Sequence, residues 1–248
     1  MHTTETEKPM IANLMRLTDA EYHDPHTLLG LHAIAGGKKV IRLFRPGADA
    51  VYFELFGKTV QAEKSQTSGL FEYLVPAKTT VNDYRVYHQD GFLAHDPYAF
   101  WPTIGELDQY LFAKGVHYNL YNRLGAHKVV HQGIAGVKFA VWAPSAKRVS
   151  LVADFNHWDG RTNPMRSMGQ SGIWELFVPG LNDGQKYKFE IKTQSGEIRV
   201  KADPYAFSSE LRPATASVVA TVDSFPWDDA AWMEKRDQNK HLPQPRSR

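Results

Sequence analysis

An internal repeat is the feature that most limits how this chain of 248 residues can fold. Five short motifs from the first half return in the second half in the same order. The matched segments are 29–32 with 124–127, 40–46 with 137–144, 68–76 with 171–179, 84–87 with 187–190, and 95–100 with 202–207. Ordered matches at an offset of about a hundred residues predict two copies of one module.

Each copy is a series of short segments rich in Val, Tyr and Phe, which Gly, Pro, Asn and Asp separate. This pattern is typical of an antiparallel β-sandwich. In residues 187–192 the odd positions are apolar and the even positions are charged. The alternation gives that strand one buried face and one solvent face, and it puts Lys188 outside. The predicted fold class is therefore all-β, with two tandem sandwiches that each have their own core.

The repeat also predicts how the chain is divided. We expect short helical segments near the termini, one of them within residues 10–17. The predicted divisions are an N-terminal arm over 1–20, a first β-sandwich over 21–112, a second β-sandwich over 113–224, and a linker over 225–248.

The end of the chain leaves the sandwich pattern after Thr221. Asp228 is a fair N-cap for one or two helical turns. Trp227 and Trp232 follow the last strand with little chain left to cover them, so we expect self-association through residues 225–236. The final residues are polar and proline-rich, as in a linker, and a linker at the end of a chain indicates an interrupted protein.

Composition narrows the classes of function. A formal net charge of +2, without a dense Lys/Arg run, gives no case for nucleic acid. The absence of cysteine excludes disulfides, thiolate metal sites and a Cys nucleophile, and it suits a reducing compartment. The start shows no secretory signal, and no apolar run approaches the ~20 residues of a membrane helix. We therefore expect a cytoplasmic protein without a membrane partner.

The sequence gives no positive case for catalysis. It contains no phosphate loop, no H-E-x-x-H and no G-x-S-x-G. Asp96 and Asp203, which precede proline, are expected to cap turns. His23, Asp24 and His26 lack a third imidazole at a diagnostic spacing, which favours a structured loop over a metal site. We predict no catalytic, metal-binding or cofactor-binding residues, although two carboxylates that meet only in space stay open as an alternative.

The clearest candidate site is V-A-D-F-N-H-W-D-G at residues 152–160, where an apolar strand enters a turn-rich segment. A flat ring such as Trp158 in such a loop can stack on the apolar face of a sugar. The alternative is that Phe155 and Trp158 both pack in the core. The first copy has F-E-L-F-G-K at this place, without Trp or Asn. A stretch that only the fold required would be expected in both copies, so the difference favours binding in the second copy.

Six longer motifs stand out in the sequence: H-D-P-H-T-L-L-G-L-H (23–32), V-W-A-P-S-A (141–146), A-D-F-N-H-W-D-G (153–160), S-G-I-W-E-L-F-V-P-G (171–180), Y-K-F-E-I (187–191) and K-A-D-P-Y-A-F (201–207). Together they resemble the amino-terminal part of bacterial 1,4-α-glucan (glycogen) branching enzymes. The resemblance implies that the first copy is the extra N-terminal domain of that family. It implies that the second copy is a carbohydrate-binding module of family 48, and hence that the fold is two tandem immunoglobulin-like β-sandwiches.

The resemblance also implies a partner, an α-1,4-glucan such as glycogen or a maltooligosaccharide. In glycogen-binding relatives of the module, the Trp of F-N-x-W is a sugar platform and the Lys of Y-K-F contacts a hydroxyl. These positions match Trp158 and Lys188, and the predicted glucan-binding set also includes Asp154 and Asn156 of the same turn. A second platform Trp is expected three residues before D-P, where this sequence has Val200, so we expect weak binding.

In the resembled family a catalytic (β/α)₈ barrel of the α-amylase type begins about where this chain ends. Its nucleophilic Asp, acid/base Glu and stabilising Asp would lie beyond Arg248. The resemblance thus implies the non-catalytic front of a glycosyltransferase of glycogen biosynthesis, which positions α-glucan, supports the barrel and is inactive alone. A stand-alone α-glucan-binding or regulatory module and a purely structural spacer remain as alternatives.

Overall fold

The computed structural model describes residues 7–222 and 228–238. This part of the chain holds three α-helices, α1 (Glu7–Thr18), α2 (Glu106–Ala113) and α3 (Ala230–Gln238). Its strands are β1 (Gly30–Ile34), β2 (Lys38–Phe44), β3 (Val51–Leu55), β4 (Lys58–Lys64), β5 (Leu70–Pro76), β6 (Tyr84–Tyr87), β7 (Leu93–Ala94), β8 (Gly125–His131), β9 (Ile134–Trp142), β10 (Ala146–Ala153), β11 (Arg166–Ser167), β12 (Ile173–Pro179), β13 (Lys186–Thr193), β14 (Ile198–Lys201), β15 (Ser208–Ser209) and β16 (Ser217–Val218). The predominance of strands confirms the all-β prediction.

Strands β1–β7 form the first module, an antiparallel sheet in the order β1-β2-β5-β4-β3-β6-β7. Strand β4 joins its two halves, because most of it pairs with β3 while Glu63 and Lys64 pair with β5. Between the halves lies a cluster of buried side chains that includes Ile41, Phe53 and Tyr84. Closing the sheet through one shared strand gives this module a core of its own.

Strands β8–β16 form the second module, which has two sheets. One has the order β11-β12-β9-β8 and the other β10-β13-β16-β15, with β14 on the same edge of β13 as β16. On β13, Tyr187 and Phe189 are buried while Lys188 is partly exposed. The structure therefore confirms that Lys188 lies on the solvent face of this strand.

The repeated D-P-Y motifs have the same geometry in both modules. Tyr84 on β6 donates its hydroxyl to Asp96 (2.9 Å), and Tyr187 on β13 donates to Asp203 (2.6 Å). Each aspartate also accepts the backbone N–H two residues further on, which confirms the predicted turn caps. Burial raises the pKa of both aspartates and of both tyrosines. These acids therefore stabilise corners of the fold.

The backbone geometry of the repeated L-G-x-H motif explains why it contains glycine in both modules. Gly30 and Gly125 have φ of 90° and 97°, and a Cβ on either would lie 2.9 Å from the carbonyl oxygen of Tyr98 or Tyr205, respectively. Only glycine combines this left-handed backbone with so close an approach. The motif therefore seats the first strand of each module against its own D-P-Y turn.

Each module has a core, and the apolar cluster of the second module extends to side chains of α1 and of the first module. Leu14 and Leu17 of α1, with Tyr98 of the first module, belong to the same cluster as the inner faces of β9, β10, β12 and β13. Lys192 of β13 donates to the carbonyl oxygen of Asp19 (2.9 Å). The arm thus packs between the modules, and the boundaries at 21–112 and 113–224 stay a prediction.

The connection between the modules is fixed by a buried carboxylate on β12. One oxygen of Glu175 accepts the backbone N–H groups of Thr103 (2.7 Å) and Ile104 (3.2 Å). Its other oxygen pairs with Arg166 (2.6 Å). Each of these bonds offsets part of the cost of burying the Glu175 charge. Together they fix the position at which the chain enters the second module.

The last described element is α3, in which Trp232 is exposed and lies under the guanidinium of Arg236 (5.3 Å). Trp227 lies outside the described residues, so the expected patch of two tryptophans and self-association through residues 225–236 stay predictions. No helix within 7–222 or 228–238 has the length and apolar character needed to cross a membrane.

Candidate functional site

The candidate site is the turn that follows β10. A short 3-10 helix, Asp154–Asn156, begins it, and His157 and Trp158 come next with positive φ angles of 53° and 59°. A left-handed conformation costs a residue with a side chain about 1–2 kcal/mol. Such strain persists only where surrounding contacts impose it, and it clusters at functional sites. Two adjacent non-glycine residues in this conformation therefore mark the turn as a specialised one.

Asn156 holds the turn from inside. It is buried, its side-chain oxygen accepts from the backbone of Ala153 (2.9 Å), and its amide donates to Leu151 O and Asn163 Oδ1 (both 2.9 Å). An amide whose donors and acceptor all serve the protein interior is not available to a sugar hydroxyl. The predicted glucan contact of Asn156 therefore gives way to a role in shaping the turn.

Phe155 anchors the turn to the first module. Its side chain is 1% exposed, and its ring meets the ring of His88 edge-on with centroids 5.1 Å apart. The backbone of Asp90 donates to Phe155 O (3.3 Å), and His157 Nε2 donates to Gln89 O (3.0 Å). Core packing, the alternative for both aromatics of this stretch, thus holds for Phe155. The first module supports the turn directly, a contact that no sequence pattern had indicated.

Trp158 differs from Phe155 because its side chain is 37% exposed. Its indole Nε1 donates to Asp154 Oδ1 (2.8 Å), and its backbone N–H donates to Ala153 O (3.0 Å). Asp154 is itself exposed. The ring is therefore held at its polar edge while part of its surface stays open to solvent.

Lys188 lies on the adjacent strand, opposite Val152 of β10. Its ammonium donates to Thr215 Oγ1 (2.7 Å). Two positions earlier on the same face, Lys186 pairs with Glu210 (2.7 Å). The Glu210 carboxylate, with a smaller contribution from Asp154, raises the pKa of Lys186. The turn and the charged face of β13 thus lie within electrostatic range of each other.

The position of the second expected platform is on the same face but carries no ring. Val200 of β14 lies opposite Glu190 of β13, and directly opposed residues of an antiparallel pair point to the same side. Val200 is exposed. It adds apolar surface to this face without a ring for stacking.

An ion pair that the sequence analysis missed presses the turn onto the sheet. Arg148 of β10 pairs with Glu190 and also donates to the carbonyl oxygen of Gly160. A Cβ on Gly160 would lie 2.1 Å from the Glu190 carboxylate. The glycine after Asp159 was the visible signal, because the backbone can come this close to a side chain only where no Cβ intervenes.

The polar groups of the described region form no metal centre. Across 7–222 and 228–238, no three His, Asp or Glu side chains are grouped so that they could hold a metal ion.

Comparison with known families assigns both modules. Residues 10–98 match the family described as alpha-1,4-glucan branching enzyme GlgB, N-terminal domain, and residues 123–206 match carbohydrate-binding module 48 (isoamylase N-terminal domain). The chain is 58% identical over 236 residues to the 1,4-alpha-glucan branching enzyme GlgB of Protochlamydia amoebophila, covering 95% of this chain and 32% of that protein. It is 48% identical over 227 residues to GlgB of Chlamydia felis, covering 92% and 31%.

The chain belongs to the amino-terminal region of the GlgB family. It spans about a third of the length of the curated GlgB relatives it matches. The first module is the GlgB N-terminal domain, and Trp158, Lys188 and Val200 lie within the family 48 module. Among solved structures, a pullulanase from Anoxybacillus sp. LM18-11 complexed with maltotetraose gives a TM-score of 0.37 at 19% identity, covering 80% of this chain and 27% of that one, which is too weak to support any argument.

Proposed function

We propose that the family 48 module of this chain binds an α-1,4-glucan at Trp158, Asp154 and Lys188. The observation that carries the proposal is the partly exposed indole of Trp158, whose orientation the Asp154 carboxylate fixes at 2.8 Å. A ring that is already oriented loses little freedom when a ligand binds. In this proposal a glucose unit stacks its apolar face on the indole.

Lys188 supplies the polar half of the contact. An ammonium group carries three donors, and the bond to Thr215 uses one of them. Its strand neighbour Lys186 is engaged by Glu210, which favours Lys188 as the hydroxyl-binding cation. The pair of one ring and one donor selects a ligand with an apolar face and a polar rim, which describes a pyranose.

Binding should be weak, since Val200 contributes no second ring. Stacking on a single ring adds about 1 kcal/mol beyond area burial, by analogy with aromatic pairs. We expect a dissociation constant near the millimolar range, equivalent to about −4 kcal/mol. Affinity of this order suits a module that holds long chains through many brief contacts.

We further infer that the chain acts as the glucan-positioning front of a cytoplasmic 1,4-α-glucan branching enzyme, with the catalytic domain as its partner in one polypeptide. The support is the pairing of both modules with GlgB relatives that carry that name and are about three times as long. A stand-alone α-glucan-binding or regulatory module and a structural spacer are the competing functions.

Titration of ¹⁵N-labelled protein with maltoheptaose tests the site. Amides of residues 154–159 and of Lys188 should shift, and Trp158→Ala should abolish these shifts without changing the rest of the spectrum. Trp101→Ala removes another exposed indole and is the matched control, which should bind as the native chain does. Equal binding by the Trp158→Ala protein would place the site elsewhere, and no shift at any residue would favour the structural spacer.

A further inference from the structure

A turn of the first module lies behind the Trp158 turn of the second. It spans residues 88–92, between β6 and β7. The two turns are in direct contact, because His157 Nε2 donates to Gln89 O (3.0 Å). His157 and Trp158 both have positive φ angles, which persist only where surrounding contacts impose them. The 88–92 turn is one source of those contacts.

A small cavity lies between the 88–92 turn and the loop that continues the Trp158 turn, and we call it the intermodule cavity. Its volume is about 10 Å³, close to the 10–15 Å³ or so that one water molecule requires. Both modules line it. The lining includes Arg45, His88, Gln89 and Asp96 of the first module and Thr162 and Asn163 of the second.

Two polar atoms beside the intermodule cavity lack a partner. His88 is only 7% exposed and Gln89 is half-buried. Within the described residues, neither His88 Nε2 nor Gln89 Oε1 has a hydrogen-bond partner, and both atoms are shielded from solvent. Buried polar atoms of folded proteins are nearly always hydrogen-bonded, either to protein or to ordered water. The intermodule cavity is therefore the place for their partner.

Charge and hydrogen bonding specify what the intermodule cavity takes. Arg45 and Asp96 both line it and lie within electrostatic range of each other, so a lone ion of either sign would face a like charge. Burial lowers the pKa of His88 to about 4, which keeps its ring neutral near pH 7. Gln89 Oε1 is an acceptor, and so is His88 Nε2 when the ring proton is on Nδ1. A water molecule is neutral, has two O–H donors and fits the volume.

The far wall of the intermodule cavity belongs to the loop that holds the Trp158 turn. Thr162 and Asn163 are both buried. Asn163 Oδ1 accepts from Asn156 Nδ2 (2.9 Å), the side chain that shapes the turn from inside. A water that donates to the two acceptors of the first module keeps its oxygen free to accept from Thr162 or Asn163. The cavity thus connects the 88–92 turn to the support of the Trp158 turn.

We propose that one buried water molecule occupies the intermodule cavity, bridges the two modules and makes His88 and Gln89 positioning residues for the Trp158 turn. The water satisfies both unpaired atoms of the first module at once. It also places a hydrogen-bonded contact behind a turn whose left-handed conformation depends on such contacts. The consequence for sugar binding rests on the proposed function of the family 48 module, whereas the water and its effect on the turn do not.

Water-selective NMR on the ¹³C,¹⁵N-labelled chain tests the bridge. The amides of Gln89 and Asn163 should show NOE and ROE cross-peaks of opposite sign at the water frequency, the signature of a water molecule that tumbles with the protein. Gln89→Met removes Oε1 and keeps the length of the side chain, while His88→Phe removes the ring nitrogens and keeps a ring against Phe155. Gln61→Met, at an exposed glutamine of the first module, is the matched control. Gln89→Glu keeps an acceptor oxygen and is the rescue variant.

We expect Gln89→Met and His88→Phe to lose the water cross-peaks and to shift the amides of residues 156–163. Each should weaken maltoheptaose binding about threefold, as expected when one hydrogen bond that fixes the turn is lost. Gln61→Met should change none of these signals. Gln89→Glu should keep the cross-peaks and the native affinity, which a role of Gln89 in packing alone would not predict for one variant and deny to the other.

Three results would overturn the proposal. Native amides without water cross-peaks would show that the cavity is dry. Cross-peaks that survive in both Gln89→Met and His88→Phe would show that they are relayed by the hydroxyl of Thr162. Loss of the water with the amides of residues 156–163 or the affinity for maltoheptaose unchanged would show that the water does not position the turn.

Failure of the proposed sugar site would look different. A native chain that does not respond to maltoheptaose would contradict the site at Trp158. The water cross-peaks and the amide shifts of residues 156–163 need no sugar, so they would still decide whether the bridge exists and holds the turn.

Discussion

The two modules share a β-sandwich plan and differ at one strand end. In the first, β3 turns through Phe56 and Gly57 straight into β4, which continues the sheet. In the second, β10 is followed by residues 154–164, and Pro164 then pairs with Ser150 on the free edge of β10. The same edge is covered in both, once by a strand and once by a loop. The duplicated fold therefore tolerates variation where a turn leaves the sheet and keeps its inner face.

The difference extends to the side chains beside that strand end. The counterpart of Lys188 in the first module is Arg85, whose guanidinium lies 3.1 Å from His95 Nδ1 of the same module. A cation held in this way serves its own module's turn. The comparison explains why the Trp158 surface occurs once in a chain that contains its supporting strands twice.

The largest expected effect is a loss of stability caused by a substitution in the turn of the second module, compared with the matching substitution in the turn of the first. Phe155→Ala removes a ring that is 1% exposed in the shared cluster and should lower the free energy of unfolding by about 3–5 kcal/mol. Phe56→Ala, at a residue that is 53% exposed, should change it by no more than about 0.5 kcal/mol. Urea unfolding of the two variants measures the contrast, and equal losses would show that the turns are anchored alike.

The second-largest expected effect is a dependence of the free energy of unfolding on pH. It arises at His88 of the first module, a position at which the second module has Ile191. Burial lowers the pKa of His88 from 6.5 to about 4, so the unfolded chain takes up this proton first as pH falls. Stability should be fully present above pH 6.5 and fall by about 3 kcal/mol as pH drops to 4. Burial also lowers the pKa of His26, which acts in the same direction.

Chemical unfolding of the native chain and of His88→Leu at pH 7, 5.5 and 4 tests this. The variant should lose less stability than the native chain over that interval. Parallel profiles would mean that His88 is open to bulk solvent or already protonated in the folded protein.

The smallest expected effect concerns the carboxylate that orients the Trp158 ring. Asp154→Asn keeps an acceptor for the indole and removes the charge, so the bond to Nε1 weakens without being lost. We expect unfolding free energy within about 0.5 kcal/mol of the native value and maltoheptaose affinity about twofold lower. Affinity that does not change would show that the carboxylate has no part in orienting the ring.

Local patterns in the sequence predicted much of the fold. The alternation in residues 187–192 put Lys188 outside and Tyr187 inside, because a strand's faces follow from a period of two. The repeated D-P-Y motif also predicted the paired caps, because a cap joins residues that are close together in the sequence. Asn156 was misjudged, since the letters of a turn do not tell whether an amide faces solvent or Leu151 and Asn163.

Contacts between the modules were beyond the sequence. His157 and Gln89 are 68 positions apart, and neither pattern indicates the other. The contact between the rings of His88 and Phe155 likewise exists only once both modules are packed. These contacts are a property of the pair, while the Trp158 turn could be found within one copy.

Helix α1 makes the second module depend on a part of the chain that precedes the first. It comes first in the chain, yet Leu14 and Leu17 share the cluster of the second sandwich, and the arm behind it is tied to that sandwich by Lys192. A gene segment encoding the second sandwich alone would leave behind part of the surface that covers it. In this chain the second sandwich therefore depends, for part of its apolar cover, on a helix that precedes the first sandwich.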